Sequence, residues 1–158
     1  MRVLYATGFL ILLDQITKAI TRAKMDLYES IPVIQDLFHM TYVTNDGMAF
    51  GINFPAGIYV FTMVSIIASI GLGWYLWQVR NDVFLIRLSL AFILAGAIGN
   101  LIDRILFGKV VDFFDFMYAG HHFPVFNIAD SSVTVGMIFF LYYSLIIQPK
   151  LVAAEAKS

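Results

Sequence analysis

Four long apolar runs set the plan of this chain, near residues 3–21, 57–77, 84–101 and 128–147. Each approaches the roughly 20 residues that a helix needs to cross a bilayer. The polar residues that interrupt these runs are not scattered. They fall in the second half of the first run, at the end of the third and at the start of the fourth, while the second carries no charge. In a chain that crosses four times, those three places lie on one membrane face. The pattern therefore predicts an α-helical membrane protein, a four-transmembrane-helix bundle with one polar site at one face.

Two connections, residues 22–56 and 102–127, belong to that same face. FHMTYVT is β-prone and precedes Asn45-Asp46-Gly47 and MAFGI, and Asp-Gly between such runs is a hairpin signal because glycine accepts positive φ. VVDFFDFMY and HHFPVF are also aromatic and extended in character. Together they predict a small extracytoplasmic β-sheet and loop roof over the site. Whether the second pair of strands joins the first or pairs only with itself is open at this stage. No internal repeat or linker divides the chain, which reads as a single integral membrane domain over 1–158, with 153–158 as a frayed tail.

Composition agrees with lipid as the solvent. Of 158 residues, 60% are hydrophobic and only 13% charged, against about 25% charged in ordinary soluble domains. A chain of this length cannot hide so much apolar surface in its own core. With no cysteine and a net charge of -1, thiolate chemistry is excluded and nucleic acid is not an expected partner. The first run resembles a secretory leader in position only, since Asp14 and Lys18 break its apolar stretch; it is expected to stay as a span. Four crossings put Arg2, Arg80, Arg87, Lys150 and Lys157 on the side of the termini and Arg22, Lys24, Arg104 and Lys109 opposite. The positive-inside rule then favours cytoplasmic termini by a small margin.

Ionisable groups at the ends of apolar segments are costly and are functional candidates by default. Asp112 and Asp130 frame the second connection. Two carboxyls in a partly dry site cannot both ionise cheaply, so one becomes an acid and the other a base at neutral pH. Such a pair can activate water against a peptide carbonyl without metal or cofactor. The plainer alternative makes Asp112 a loop acid and Asp130 a helix cap. Asp14 and Lys18, four apart, share one helix face and read as a clasp supporting the site. Gly96, Asn100 and Arg104 form a stripe in which small residues allow close helix approach; the polar ones either serve packing, with Arg104 snorkelling to the interface, or join one network beside the aspartates. Asp103 lies off that stripe and receives no catalytic role. His121 and His122 lack helical metal-site spacing and are expected at the surface. Trp74, Trp77, Tyr142 and Tyr143 are expected interface anchors.

Five blocks carry a resemblance: DQITK at 14–18, NDGMAF at 45–50, GAIGNLIDR at 96–104, VVDF at 110–113 and FNIADSSVTVG at 126–136. In order and spacing they resemble the motifs of lipoprotein signal peptidase, or signal peptidase II. The resemblance implies an aspartyl endopeptidase of the bacterial cytoplasmic membrane, with its active site at the outer face. It would remove signal peptides from prolipoproteins before a diacylglyceryl-modified cysteine. Asp112 and Asp130 then fall on the catalytic pair, Asn45, Asn100, Arg104 and Asn127 on positions that line the site or bind substrate backbone, and Asp14 and Lys18 on supporting positions. It also implies lipidated prolipoproteins and membrane lipids as partners, no cofactor, and inhibition by globomycin. Met48 stands where the family usually has alanine, a departure bearing on fine specificity. Apart from the resemblance, a small proton-coupled membrane transporter and a non-catalytic assembly factor are the competing readings.

Overall fold

The structure is a computed structural model, and it describes residues 1–46 and 57–156. The Asp-Gly turn into MAFGI and the Met48 departure therefore lie outside the described residues. Four helical segments are long and apolar enough to span a membrane: α1 (Val3–Lys24), α2 (Gly57–Gln78), α3 (Phe84–Phe107) and the continuous run Ile128–Ala154 that opens with α4 (Ile128–Tyr142). A π-helical turn, Tyr143–Ile147, continues α4 into α5 (Gln148–Glu155). That wider turn sits just before Pro149, which cannot donate the next backbone hydrogen bond. Helix thus persists through Glu155, where the sequence led us to expect fraying from Ala153.

α3 is the axis of the bundle. It buries Leu90, Ala91, Leu94, Ala95, Gly96, Gly99 and Asp103, whereas α2 buries only Gly57 and Leu76. This is the order expected when the unburied side chains face lipid. Near one end, Val3, Leu76, Ile86, Leu90, Ala91 and Leu94 form the apolar core, and Thr7 Oγ1 donates to Ala91 O at 3.1 Å. Small residues bring α4 against α3. A Cβ on Gly96 would collide with the Ala129 carbonyl oxygen and with Val133, so no larger residue fits there without moving α4.

At the other end lies one antiparallel sheet in the order β1-β2-β3-β4, formed by Ser30–Ile34, Phe38–Asn45, Val110–Tyr118 and His121–His122. β3 answers the open question of pairing: it pairs with β2 on one side and β4 on the other. FHMTYVTN also pairs back onto SIPVI. The β3–β4 hairpin turns on Ala119 and Gly120, both at positive φ, the two-residue geometry that matches strand twist. Alternation along β3 puts Asp112, Phe114 and Phe116 on one face. Phe38, Phe114, Phe116, Phe123 and Phe126 pack together there, with ring centroids 4.7 to 6.0 Å apart.

Candidate active site

The two aspartates come within electrostatic reach of one another from different elements. α3 stops at Gly108, whose φ of 69° is left-handed and whose N–H closes onto Arg104 O at 3.1 Å. β3 begins two residues later, and Asp103 Oδ2 accepts the Val111 N–H at 3.0 Å. Asp112 is thereby fixed to the end of α3. On the far side, Phe114 and Phe126 exchange backbone hydrogen bonds of 2.8 and 3.1 Å, which sets Asn127 beside Asp112. α4 starts at that residue. The Asn127 side chain accepts from Asp130 N at 2.9 Å and Asp130 Oδ2 accepts from Asn127 N at 3.2 Å, a reciprocal capping box. Asp130 is therefore a capping residue, as the plainer alternative has it, but at the third position, with Asn127 as the cap.

Asn127 also links the pair. Its Nδ2 donates to Asp112 Oδ1 at 2.6 Å and lies 3.2 Å from Val111 O and 3.1 Å from Asn100 Oδ1. Asn100 Nδ2 donates to Asp130 Oδ1 at 2.8 Å. Both carboxyls thus accept from neutral amides, and among the described residues neither is in an ion pair. Burial first, and the charge of Asp130 second, push the Asp112 carboxyl up to about 7, against the hydrogen bond from Asn127. One acid that holds its proton near neutral pH stands next to a second carboxyl supplied with donors on both oxygens.

A buried ionic cluster backs this site. Lys18 and Asp14 are both essentially inaccessible, and Lys18 Nζ lies 2.9 Å from Asp14 Oδ2. Asp14 Oδ1 accepts the Ala129 N–H at 2.9 Å, tying α1 to the first turn of α4. Lys18 Nζ also donates to Asn100 Oδ1 at 2.8 Å. Asp103 joins Lys18 and Arg22, each at 3.5 Å. Gln15 Nε2 bonds Asp14 Oδ2 and Gly99 O at 3.1 and 3.0 Å. Asp103, expected to have no catalytic role, joins this cluster, and Gln15 is not among the residues expected from sequence; an acid inside an apolar span is itself the signal for Asp103.

The remaining expected residues are less central. Arg104 donates to Ser65 Oγ on α2 at 3.2 Å, while its charge stays within electrostatic reach of Asp130, Asp112 and Asp103. Its buried Nε has no hydrogen-bond partner among the described residues. Asn45 closes β2 opposite Val110. His121 and His122 are exposed as expected, yet His122 Nδ1 also lies 2.8 Å from Asp115 Oδ1 and Thr41 Oγ1 donates to Asp115 Oδ2 at 2.7 Å. Burial alone would raise the Asp115 carboxyl, but these two bonds and the nearby His122 and His39 hold it below the usual range.

From Asp130 a groove of about 380 Å³ runs along Ser131, Thr134 and Val135 and is walled by Phe123 and Phe126. Apart from Asp130, Ser131 and Thr134, its lining side chains are aromatic or aliphatic.

Comparison with known proteins agrees. Residues 6–146 match the family described as Signal peptidase (SPase) II. The lipoprotein signal peptidase of Desulforapulum autotrophicum is 40% identical over 146 residues, covering 90% of each chain. That of Halothermothrix orenii is 46% identical over 133 residues, or 84% of this chain and 88% of the relative. A bacterial membrane enzyme solved by the in meso method at 2.3 Å resolution superposes with a TM-score of 0.81 and 35% identity, over 91% of this chain and 87% of that one. A second, at 1.9 Å resolution, gives 0.80 and 34%, over 93% and 94%. Fold, sequence blocks and relatives converge: the chain belongs to the signal peptidase II family, as a multi-pass bacterial membrane peptidase of lipoproteins.

Proposed function

We propose that this peptidase is an intramembrane aspartyl endopeptidase that cleaves before the diacylglyceryl-modified cysteine of prolipoproteins, with Asp112 and Asp130 activating one water. The observation that carries the reading is the amide-linked pair itself: Asn127 bonds Asp112 through its side chain and Asp130 through its backbone. Asp130, with both oxygens accepting donors, suits the charged base. Asp112, titrating near 7, suits the acid. Asp130 takes a proton from water as its oxygen attacks the carbonyl carbon, and Asp112 protonates the carbonyl oxygen. As the C–N bond breaks, Asp130 passes its proton to the leaving nitrogen and Asp112 regains one from the diol.

Asn45 and Arg104 suit contacts to the substrate backbone, and Asn100 and Asn127 hold the carboxyls. The groove beside Asp130 suits the apolar part of the substrate, and globomycin would compete for it. Acyl chains in the surrounding lipid would contribute about 0.8 kcal/mol per buried methylene. We place the site at the outer face, with the termini cytoplasmic, following the charge distribution of the loops. The transporter reading requires acids spread through the depth of several spans, whereas Asp14, Asp103, Asp112 and Asp130 gather in one connected cluster.

Asp112→Asn and Asp130→Asn are each expected to fold and to lose at least about a thousand-fold in turnover. The measurement is cleavage of a diacylglyceryl-modified precursor and of its unlipidated twin by purified protein. Processing of the lipidated form at the parent rate by either variant would refute the aspartyl mechanism, and equal rates on both substrates would refute the lipid requirement.

A further inference from the structure

We infer that Lys18 is a positioning residue for the reaction, its buried ammonium holding the Asn100 carboxamide in the one orientation that turns an N–H toward Asp130. This rests on the reading of Asp112 and Asp130 as the reacting pair.

Lys18 is wholly buried. Its Nζ lies 2.9 Å from Asp14 Oδ2, 2.8 Å from Asn100 Oδ1 and 3.5 Å from Asp103 Oδ2. An ammonium has three donors and no acceptor, so these three oxygens use it fully. Two carboxylates already match its charge, and Arg22 also serves Asp103. The shortest of the three contacts nevertheless goes to a neutral amide. Its effect is directional. A carboxamide has a donor end and an acceptor end that can exchange by rotation, and a donor-only neighbour accepts just one of the two orientations. With Oδ1 held by Lys18, Nδ2 is left to face Asp130 Oδ1 at 2.8 Å. Asn127 Nδ2, at 3.1 Å from the same Oδ1, favours the same orientation. Donation therefore runs one way, from Lys18 through Asn100 to Asp130.

The consequence appears in mid-reaction, once Asp130 has taken a proton from water. A freely turning Asn100 would present its carbonyl to that proton and hold it on Asp130. With Lys18 in place Asn100 can only donate, so the protonated Asp130 finds no acceptor there and gives the proton to the leaving nitrogen. Lys18 thus acts on turnover through Asn100 rather than on substrate binding.

The test is a double-mutant cycle in kcat and KM on a diacylglyceryl-modified precursor, scored per molecule in the monodisperse fraction. Lys18→Met is expected to lower kcat by about 10- to 100-fold, by analogy with the loss of hydrogen-bond partners that orient metal ligands, with KM within about two-fold. Asn100→Ala should show a loss of its own, and the Lys18→Met/Asn100→Ala double variant no further loss. Parent kcat in Lys18→Met, or losses that multiply in the double variant, overturns the inference. If Lys18→Met does not fold, Asp14→Asn is compared with Asp14→Asn/Lys18→Met, which removes both charges of the clasp. The second step should cost the same factor, and equal kcat overturns the inference. Asp130→Asn separates the two levels: cleavage by that variant sinks the proposed mechanism, whereas an inactive Asp130→Asn beside a fully active Lys18→Met sinks only the role of Lys18.

Discussion

Two pairs of carboxyls sit side by side in this protein under opposite regimes. Asp14 and Asp103 meet cations, Lys18 and Arg22. Asp112 and Asp130 meet amides, those of Asn127 and Asn100. A carboxylate matched by a buried cation has little reason to exchange protons and serves as a fastener: Asp14 holds α4, and Asp103 holds β3. Burial and the neighbouring charge of Asp130, against the hydrogen bond from Asn127, keep the proton of Asp112 within reach of neutral pH. The lesson is that burial alone does not separate the two pairs; the partners each carboxyl meets must be read as well.

That contrast can be broken most severely by emptying the fastener. Asp103→Ala leaves Lys18 and Arg22 short of a counter-charge and frees the Val111 N–H, and should cost about 3–5 kcal/mol, read as a fall in thermal stability in detergent. Asp112→Asn should leave stability largely intact while abolishing turnover, so similar stability losses in both variants would erase the distinction. Gly99→Ala comes next. Its Cβ would stand 2.7 Å from Asp14 Oδ2, and pushing that clasp aside should cost about 1–3 kcal/mol.

A third measurement uses pH. Folded Asp112 titrates near 7, above the roughly 3.9 of an unfolded aspartate. Between those values the folded state holds a proton that the unfolded state has released, so the stability contributed by protonated Asp112 is lost as pH rises toward 7. Asp112→Asn is free of this loss. Its advantage in melting temperature over the parent should grow from pH 5 to pH 7 and then level off, and parent turnover should decline above about pH 7 as the acid ionises. A constant difference across this range would show that Asp112 has an ordinary carboxyl. The smallest effect belongs to the sheet. His122 is half exposed, so His122→Ala should change stability by no more than about 1 kcal/mol and turnover hardly at all.

Much of this was legible beforehand because lipid makes polar residues expensive. The four apolar runs and the gathering of Asp14, Lys18, Asn100, Asp112 and Asp130 toward one face follow from that cost, and the sheet from the β-prone runs FHMTYVT and VVDFFDFMY. What escaped was decided by tertiary partners. SIPVI looks unlike a strand because Pro32 cannot donate to a ladder, yet on the edge of a sheet it need not. Asp103 sits off the stripe of Gly96, Asn100 and Arg104; its place inside an apolar span marks it, but its partners Val111, Lys18 and Arg22 are set by the tertiary fold. The Asp115–His122 contact depends on strand register, which no local pattern encodes. The π-helical turn before Pro149 likewise has no signature beyond the proline.

The capping box at the head of α4 carries a last implication. Because Asp130 both receives the Asn127 backbone N–H and lines the groove, its carboxyl oxygens cannot drift without unwinding the helix, nor can the helix unravel without scattering them. Under the proposed mechanism, secondary structure and chemistry share one hinge pin there. Any substitution that loosens the opening turn should silence the peptidase well before the bundle comes apart.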